Sequence, residues 1–214
     1  MAEIQGFILD LDGVITDTAE FHFKSWKKMA DEEGIPFDRE DNEQLRGVSR
    51  RKSMELILDG KEMPEEKIQK LMDRKNRYYN EFLEELSKDD LLPGAGDLID
   101  EIIDRGYKIA VASSSRNAKT VIANLGIGDL FATISDGNSV ENSKPAPDLF
   151  LHTAKKLNLK AENCVVIEDA ESGIEGALAA NMIAVGVGPE ERVGKAHYRY
   201  DEVKDIDLDE IISE

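Results

Sequence analysis

The chain of 214 residues is short of cysteine, short of basic charge and without a long apolar run. Its one cysteine, Cys164, excludes an internal disulfide and fits a reducing cytosol. It lies in the apolar run Cys164-Val165-Val166-Ile167 and reads as a small core residue rather than a nucleophile. No stretch is long and apolar enough to span a bilayer. The opening Met-Ala-Glu-Ile-Gln lacks the basic and apolar regions of a signal peptide, so a cytoplasmic chain is expected. Only 27 Lys and Arg stand against 45 Asp and Glu, a formal charge of −18. Nucleic acid and anionic membranes are therefore poor partners. An anionic ligand would need a few cations gathered locally against that field. No internal repeat or low-complexity segment occurs. Gly186-Val-Gly188 lacks the third glycine of a dinucleotide loop and reads as a turn.

What is present is organised around residues 7–17, Phe-Ile-Leu-Asp-Leu-Asp-Gly-Val-Ile-Thr-Asp. A short apolar run near the start of a chain reads as a buried strand of a parallel sheet, placed here at 7–11. Asp10 and Asp12 close it, and Gly13 lets the backbone turn sharply beside them. Alternation along a strand puts both carboxylates on one side and Leu9 and Leu11 on the other. Like charges that close resist joint ionisation unless a cation sits beside them. Magnesium, which prefers oxygen ligands, is the natural candidate.

Between 18 and 88 no strand pattern occurs. Apolar spacing predicts helices at 18–33, 39–46, 49–60 and 64–86, broken at Gly34, Gly47 and Pro64. Thr18 or Asp17 would cap the first, and Trp26 would anchor it. From residue 91 the pattern changes. Strands are predicted at 108–112, 131–135, 164–167 and 183–187, with helices at about 93–105, 116–125, 147–157 and 172–180. The acidic tail, 201–214, holds one short helix. This alternation predicts right-handed βαβ units, hence an α/β fold with a Rossmann-like parallel sheet core. The core would comprise 1–16 and 88–214, with 17–87 inserted as an α-helical cap domain hinged at 14–17 and 87–92.

Strand ends of a parallel sheet share one edge, where ligands bind. Ser113 to Ser115 follow the second strand, Glu168 and Asp169 follow a later one, and Lys144 precedes the Pro145-Ala-Pro147 turn. Carboxylates from two strands meeting there make an open magnesium site. Ser113, with backbone N–H groups at a helix start, suits a phosphate, and Lys144 supplies a point charge. Such a set can run phosphoryl transfer. One carboxylate attacks phosphorus to give an aspartyl phosphate, cations offset the repulsion, and the second carboxylate gives a proton to the departing oxygen and takes one from the next nucleophile.

Asp10-Leu-Asp12-Gly-Val, the Ser113 strand end, Lys144-Pro145 and Glu168-Asp169 resemble the four ordered motifs of the haloacid dehalogenase (HAD) superfamily. Asp12-Gly-Val-Ile-Thr-Asp-Thr-Ala-Glu-Phe-His22, Asn42-Glu-Gln-Leu-Arg-Gly-Val-Ser-Arg50, Arg74-Lys75-Asn76 and Ser143-Lys-Pro-Ala-Pro-Asp148 resemble its β-phosphoglucomutase family. The likeness covers residues 4 to about 188. Ser114 and Arg46 stand where that family often has Ala and Lys, without breaking a motif.

The resemblance implies a HAD-like core with Asp10 as nucleophile and Asp12 as general acid and base. It implies magnesium bound by Asp10, the main-chain carbonyl of Asp12 and Asp169, with Glu168 close by. Ser113, Ser114 and Lys144 would hold the transferring phosphate, and Arg50 the other one with Ser115, Arg116 and Asn117. His22, Trp26, Leu45, Gly47, Val48, Ser53 and Lys75 would line the sugar site, with Thr18 in the hinge near Asp12. The Lys144–Pro145 bond would be cis. The implied reaction interconverts β-D-glucose 1-phosphate and glucose 6-phosphate, with glucose 1,6-bisphosphate as catalytic phosphoryl donor, in a monomer whose partners are small sugar phosphates. The core motifs serve a magnesium-dependent sugar-phosphate phosphatase equally well, and Arg50 and Lys75 separate the two. A sensor with a relic site is disfavoured because no catalytic position is missing. His152 and His197 have no partners in sequence and read as surface or packing residues.

Overall fold

The computed structural model describes residues 3–45 and 48–213. The first apolar run forms β1 (Gly6–Leu9), and four helices follow: α1 (Ala19–Glu32), α2 (Arg39–Glu43), α3 (Arg50–Leu58) and α4 (Glu65–Leu83). Strands and helices then alternate through α5 (Ala95–Asp104), β2 (Lys108–Ala112), α6 (Ala118–Asn124), β3 (Thr133–Ser135), α7 (Asp148–Leu157) and β4 (Cys164–Glu168). The chain ends with α8 (Glu171–Ala179), β5 (Ile183–Val187), α9 (Glu190–Val193), β6 (Tyr198–Tyr200) and α10 (Leu208–Ile212).

The six strands lie in the order β3-β2-β1-β4-β5-β6, every neighbouring pair parallel. The order reverses direction at β1, and a doubly wound sheet opens its ligand crevice at such a switch. Alternating side chains serve both faces. Phe7, Leu9, Val111 and Ile167 pack with Ile99 of α5 and Ile122 of α6. Ile8, Ala112 and Val166 pack on the other face with Phe150 of α7 and Ile174 of α8. The inserted helices have a cluster of their own, from Trp26 and Met29 of α1, Met54 of α3, and Ile68 and Leu71 of α4. Further along α4, Tyr79 and Leu83 join the cluster of the sheet, so that one helix serves both.

The two chain crossings into the insertion are tied to each other. Leu92 N–H donates to the Ile15 carbonyl at 2.9 Å, and the Thr16 hydroxyl donates to the Asp90 carbonyl at 2.6 Å.

Several elements differ from the sequence expectation. β1 stops at Leu9 rather than residue 11, because the Leu11 carbonyl accepts from both Ile15 and Thr16 and the backbone curls. Gly13 sits in that curl at φ 84°, and a Cβ there would lie 2.4 Å from the Asp169 carboxylate. The helix expected at 39–46 ends at Glu43. Gly186 and Val187 belong to β5, so the turn begins only at Gly188. Asp17, rather than Thr18, accepts from the first N–H of α1, Ala19, at 2.8 Å. β6 and α9 were not foreseen, being too short to show a period. His197 does have a partner, since its Nδ1 accepts the Ala184 N–H at 2.9 Å. Cys164 is fully buried, and burial pushes its thiol up to about 11, as befits a core residue. No helix among the described residues is long and apolar enough to cross a membrane.

Candidate active site

Asp10 lies one residue past β1, fixed at the switch point by its N–H, which donates to the Ile167 carbonyl of β4 at 2.9 Å. Glu168 ends β4 and Asp169 follows it. Oxygens of these three buried carboxylates lie within 4.8 Å of one another. Lys144 enters from the loop after β3, through a Lys144–Pro145 peptide that is cis. Its Nζ donates to Asp10 Oδ1 at 2.5 Å, to the Ala112 carbonyl at 3.0 Å and to Glu168.

Burial drives the Asp10 carboxyl well above the ordinary range, Lys144 opposes this, and Glu168 adds to it. Burial works against the charge on Lys144, but the Asp10 and Glu168 carboxylates outweigh it and raise its pKa. Lys144, with Arg192 at 3.8 Å from Asp169, sets two cations against three clustered carboxylates. The excess negative charge and the oxygen-only donor set suit a hard divalent cation such as magnesium. Close packing shapes the cluster from below. A Cβ on Gly173 of α8 would fall 2.0 Å from the Glu168 carboxylate.

Asp12 is held differently. Its carboxylate accepts from the Thr18 N–H at 3.2 Å and from the Thr18 hydroxyl, and it lies outside the carboxylate trio. Its side chain is therefore not a member of the metal cluster, which leaves the main-chain carbonyl that the family resemblance implies. Because Thr18 donates to Asp12, the Tyr79 hydroxyl donates to Thr18 Oγ1, at 2.8 Å. Burial raises the Asp12 pKa, against the Thr18 hydrogen bonds that lower it.

The inserted helices close over these groups and leave a cavity of about 100 Å³. The core side contributes Asp10, Asp12, Ser113, Ser114, Ser115, Arg116 and Asp169. The insertion contributes His22, Trp26, Leu45, Val48, Arg50, Ser53 and Lys75. Among the other expected residues, Lys144 and Glu168 meet Asp10 from beneath and Thr18 backs Asp12. Gly47, like Arg46, lies outside the described residues.

Asn42 also borders the cavity, and Asn76 joins its two walls, though neither was singled out from the sequence. Asn76 Oδ1 accepts from Arg50 at 2.7 Å and from the side-chain amide of Asn117 at 2.8 Å. The only signal for either was membership of the strings that carry the family likeness.

Lys75 is buried, with its Nζ 2.8 Å from His22 Nδ1 and 4.5 Å from the centre of the Tyr79 ring. Burial, then Arg50, holds the Lys75 pKa well below its usual value. Burial, then Lys75 and Arg50, does the same to His22. An ammonium offers only donors, so opposite a charged Lys75 the imidazole is neutral and accepts through Nδ1. Arg50 is lowered by burial and by Arg116, which faces the same cavity from the core.

The profile of the haloacid dehalogenase-like hydrolases matches residues 4–181. The chain belongs to that family. This haloacid dehalogenase-like chain is 47% identical over 189 residues to a β-phosphoglucomutase of Bacillus subtilis (strain 168), covering 86% of this chain and 84% of that protein. It is 28% identical over 184 residues to a phosphorylated carbohydrates phosphatase of Thermotoga maritima, covering 84% of this chain and 82% of that one. The crystal structure of a β-phosphoglucomutase from Clostridium difficile superposes with a TM-score of 0.93 at 40% identity, covering 97% of this chain and 95% of that chain. The parallel sheet and inserted helices of the haloacid dehalogenase-like fold are thus common to both proteins.

Proposed function

We propose that this chain is a β-phosphoglucomutase, an isomerase that interconverts β-D-glucose 1-phosphate and glucose 6-phosphate through β-glucose 1,6-bisphosphate. The observation that carries this reading is one cavity with groups for two phosphates. Asp10 and Ser113 line it where Lys144 backs Asp10 from beneath, and two guanidinium groups, Arg50 of the insertion and Arg116 of the core, line it as well. Two guanidinium groups facing one cavity repel unless an anion lies between them. A hexose bisphosphate engages both sets, whereas hydrolysis of a monophosphate needs only the first. The 47% identity to a β-phosphoglucomutase supports the same choice.

Asp10 attacks the phosphorus of the bisphosphate, and an aspartyl phosphate forms as the phosphorus–sugar oxygen bond breaks. Asp12, kept protonatable by burial, gives that oxygen its proton. Glucose 6-phosphate then leaves and β-glucose 1-phosphate enters; Asp12 takes the proton of its 6-hydroxyl as that oxygen attacks the aspartyl phosphate, the Asp10–phosphorus bond breaks, and the bisphosphate is regenerated, to turn before the next attack. Thr18, backed by Tyr79, keeps Asp12 aimed through both half-reactions. Lys144 offsets repulsion between Asp10 and the phosphate dianion. Asp10, Asp169 and the Asp12 carbonyl, with Glu168 close by, would hold magnesium, which would supply further positive charge there. Arg50, Ser115, Arg116 and Asn117 grip the second phosphate, while His22, Trp26, Val48, Ser53 and Lys75 surround the sugar.

A cavity of about 100 Å³ is well below the roughly 300 Å³ at which ligand pockets begin. The cap, 17–87, must therefore open to admit substrate, pivoting on the paired crossings at 14–17 and 87–92. Closed, it excludes water, so the aspartyl phosphate waits for a sugar hydroxyl. With magnesium and a trace of bisphosphate, β-glucose 1-phosphate should yield glucose 6-phosphate, and Asp10→Asn should abolish this. Release of inorganic phosphate at a comparable rate would overturn the reading in favour of a phosphatase.

A further inference from the structure

The edge strand β3 borders a second cavity, of about 380 Å³, lined by residues that follow the inserted helices in the chain. Register pairs Ala110 with Thr133 and Ala112 with Ser135, and both alanines pack against α7. Paired residues point to the same face of a sheet, so Thr133 and Ser135 face α7, whose His152 and Lys156 border the same space. Lys119 of α6 borders it too. Ser135 is only 1% exposed, yet its hydroxyl has no hydrogen-bond partner among the described residues. A buried hydroxyl left unpaired is costly, so native structures rarely keep one without a bound partner.

The charge is also out of keeping with the rest of the molecule. On a chain of formal charge −18, two lysines converge here. Lys119 has Asp136 at 3.7 Å, and Lys156 has no ion-pair partner among the described residues.

We propose that this cavity binds a phosphate group, free or as a monoester, with the Ser135 hydroxyl donating to it and Lys119 and Lys156 supplying the charge. The same strand end reaches the active site. The Ser135 carbonyl accepts the Ser113 N–H at 3.1 Å, and Asp136 opens the loop that leads to Lys144. An anion drawing on Ser135 therefore acts on residues beside both core-side phosphate holders.

The test is site-resolved and does not depend on the mutase reading. Amide NMR spectra are followed while inorganic phosphate, and separately glucose 6-phosphate, is added to millimolar concentration. Amides at 133–139 and 152–156 should shift along a saturation curve distinct from that of 113–117. A response to inorganic phosphate assigns the bare anion, and a response to glucose 6-phosphate alone assigns the ester; either supports the site. In Lys156→Glu, on an exposed helix face, and in Ser135→Ala, affinity at the first set should fall about tenfold or more while the second set is unchanged. A first set that stays still with both probes, or moves undiminished in both variants, overturns the proposal.

Discussion

Replacing Arg50 by Gln tests the second phosphate grip proposed for the cavity. Arg50 starts α3 in the cap, donates to Asn76 at 2.7 Å, and lines the cavity together with Arg116. Glutamine keeps a donor for Asn76 but removes the charge. A hydrogen bond to a charged group is worth about 1.5–3 kcal/mol, which corresponds to roughly 10- to 150-fold in kcat/KM. That loss should appear for β-glucose 1-phosphate, measured by coupling glucose 6-phosphate to a dehydrogenase. Hydrolysis of an aryl phosphate uses only Asp10, Asp12, Lys144 and Ser113, so it should change by less than about twofold, within the spread of substitutions remote from the reacting atoms. Equal losses in both assays, or no loss in either, would refute the assignment of Arg50 to a second phosphate.

Asp12→Asn should lower kcat by about 10²- to 10⁴-fold with KM little changed, and should remove the pH limb set by the raised Asp12 pKa. In the native enzyme, donation to the leaving oxygen should slow as pH rises through that pKa; a flat profile in single-turnover kinetics would contradict it. The folded His22 pKa lies well below 6.5, so under acid conditions the unfolded chain takes up a proton that the folded chain refuses. Stability is therefore lost as pH falls through the unfolded value. In urea unfolding, His22→Gln should lose less stability than the native chain between about pH 7.5 and 5.5. Gly173→Ala would put a methyl 2.0 Å from the Glu168 carboxylate, costing about 1–3 kcal/mol and weakening magnesium binding. Urea midpoints and a magnesium titration check this, and no change in either would argue against the packing described.

Much of the core was legible because its signals are local. β2 and β5 fall on their expected residues, since a short apolar run between turn residues marks a buried strand. β6 was missed because Tyr198-Arg199-Tyr200 is three residues long and half polar, and only pairing with β5 makes it a strand. Reading Gly186-Val-Gly188 as a turn overlapped the strand expected at 183–187, and the pairing of Gly186 with Glu168 and Arg199, which is not written in residue type, decides for the strand. The family strings pointed to Arg50 and Lys75, but nothing in their spacing shows that Lys75 meets His22 or that Asn76 links Arg50 to Asn117.

By itself the sequence determined which polar residues gather at the strand ends. Buried strands end in Asp10, Ser113 and Glu168-Asp169, and parallel topology leaves such ends nowhere to go but one edge. Tertiary structure decided how those groups are charged and paired. Lys144 lies 134 positions from Asp10 along the chain, yet its ammonium lies between Asp10 and Glu168. Asp12, two residues from Asp10, is held instead by Thr18, which Tyr79 backs. The physical reason is that proton affinities depend on burial and on neighbours within a few ångströms, and the folded chain alone chooses those neighbours.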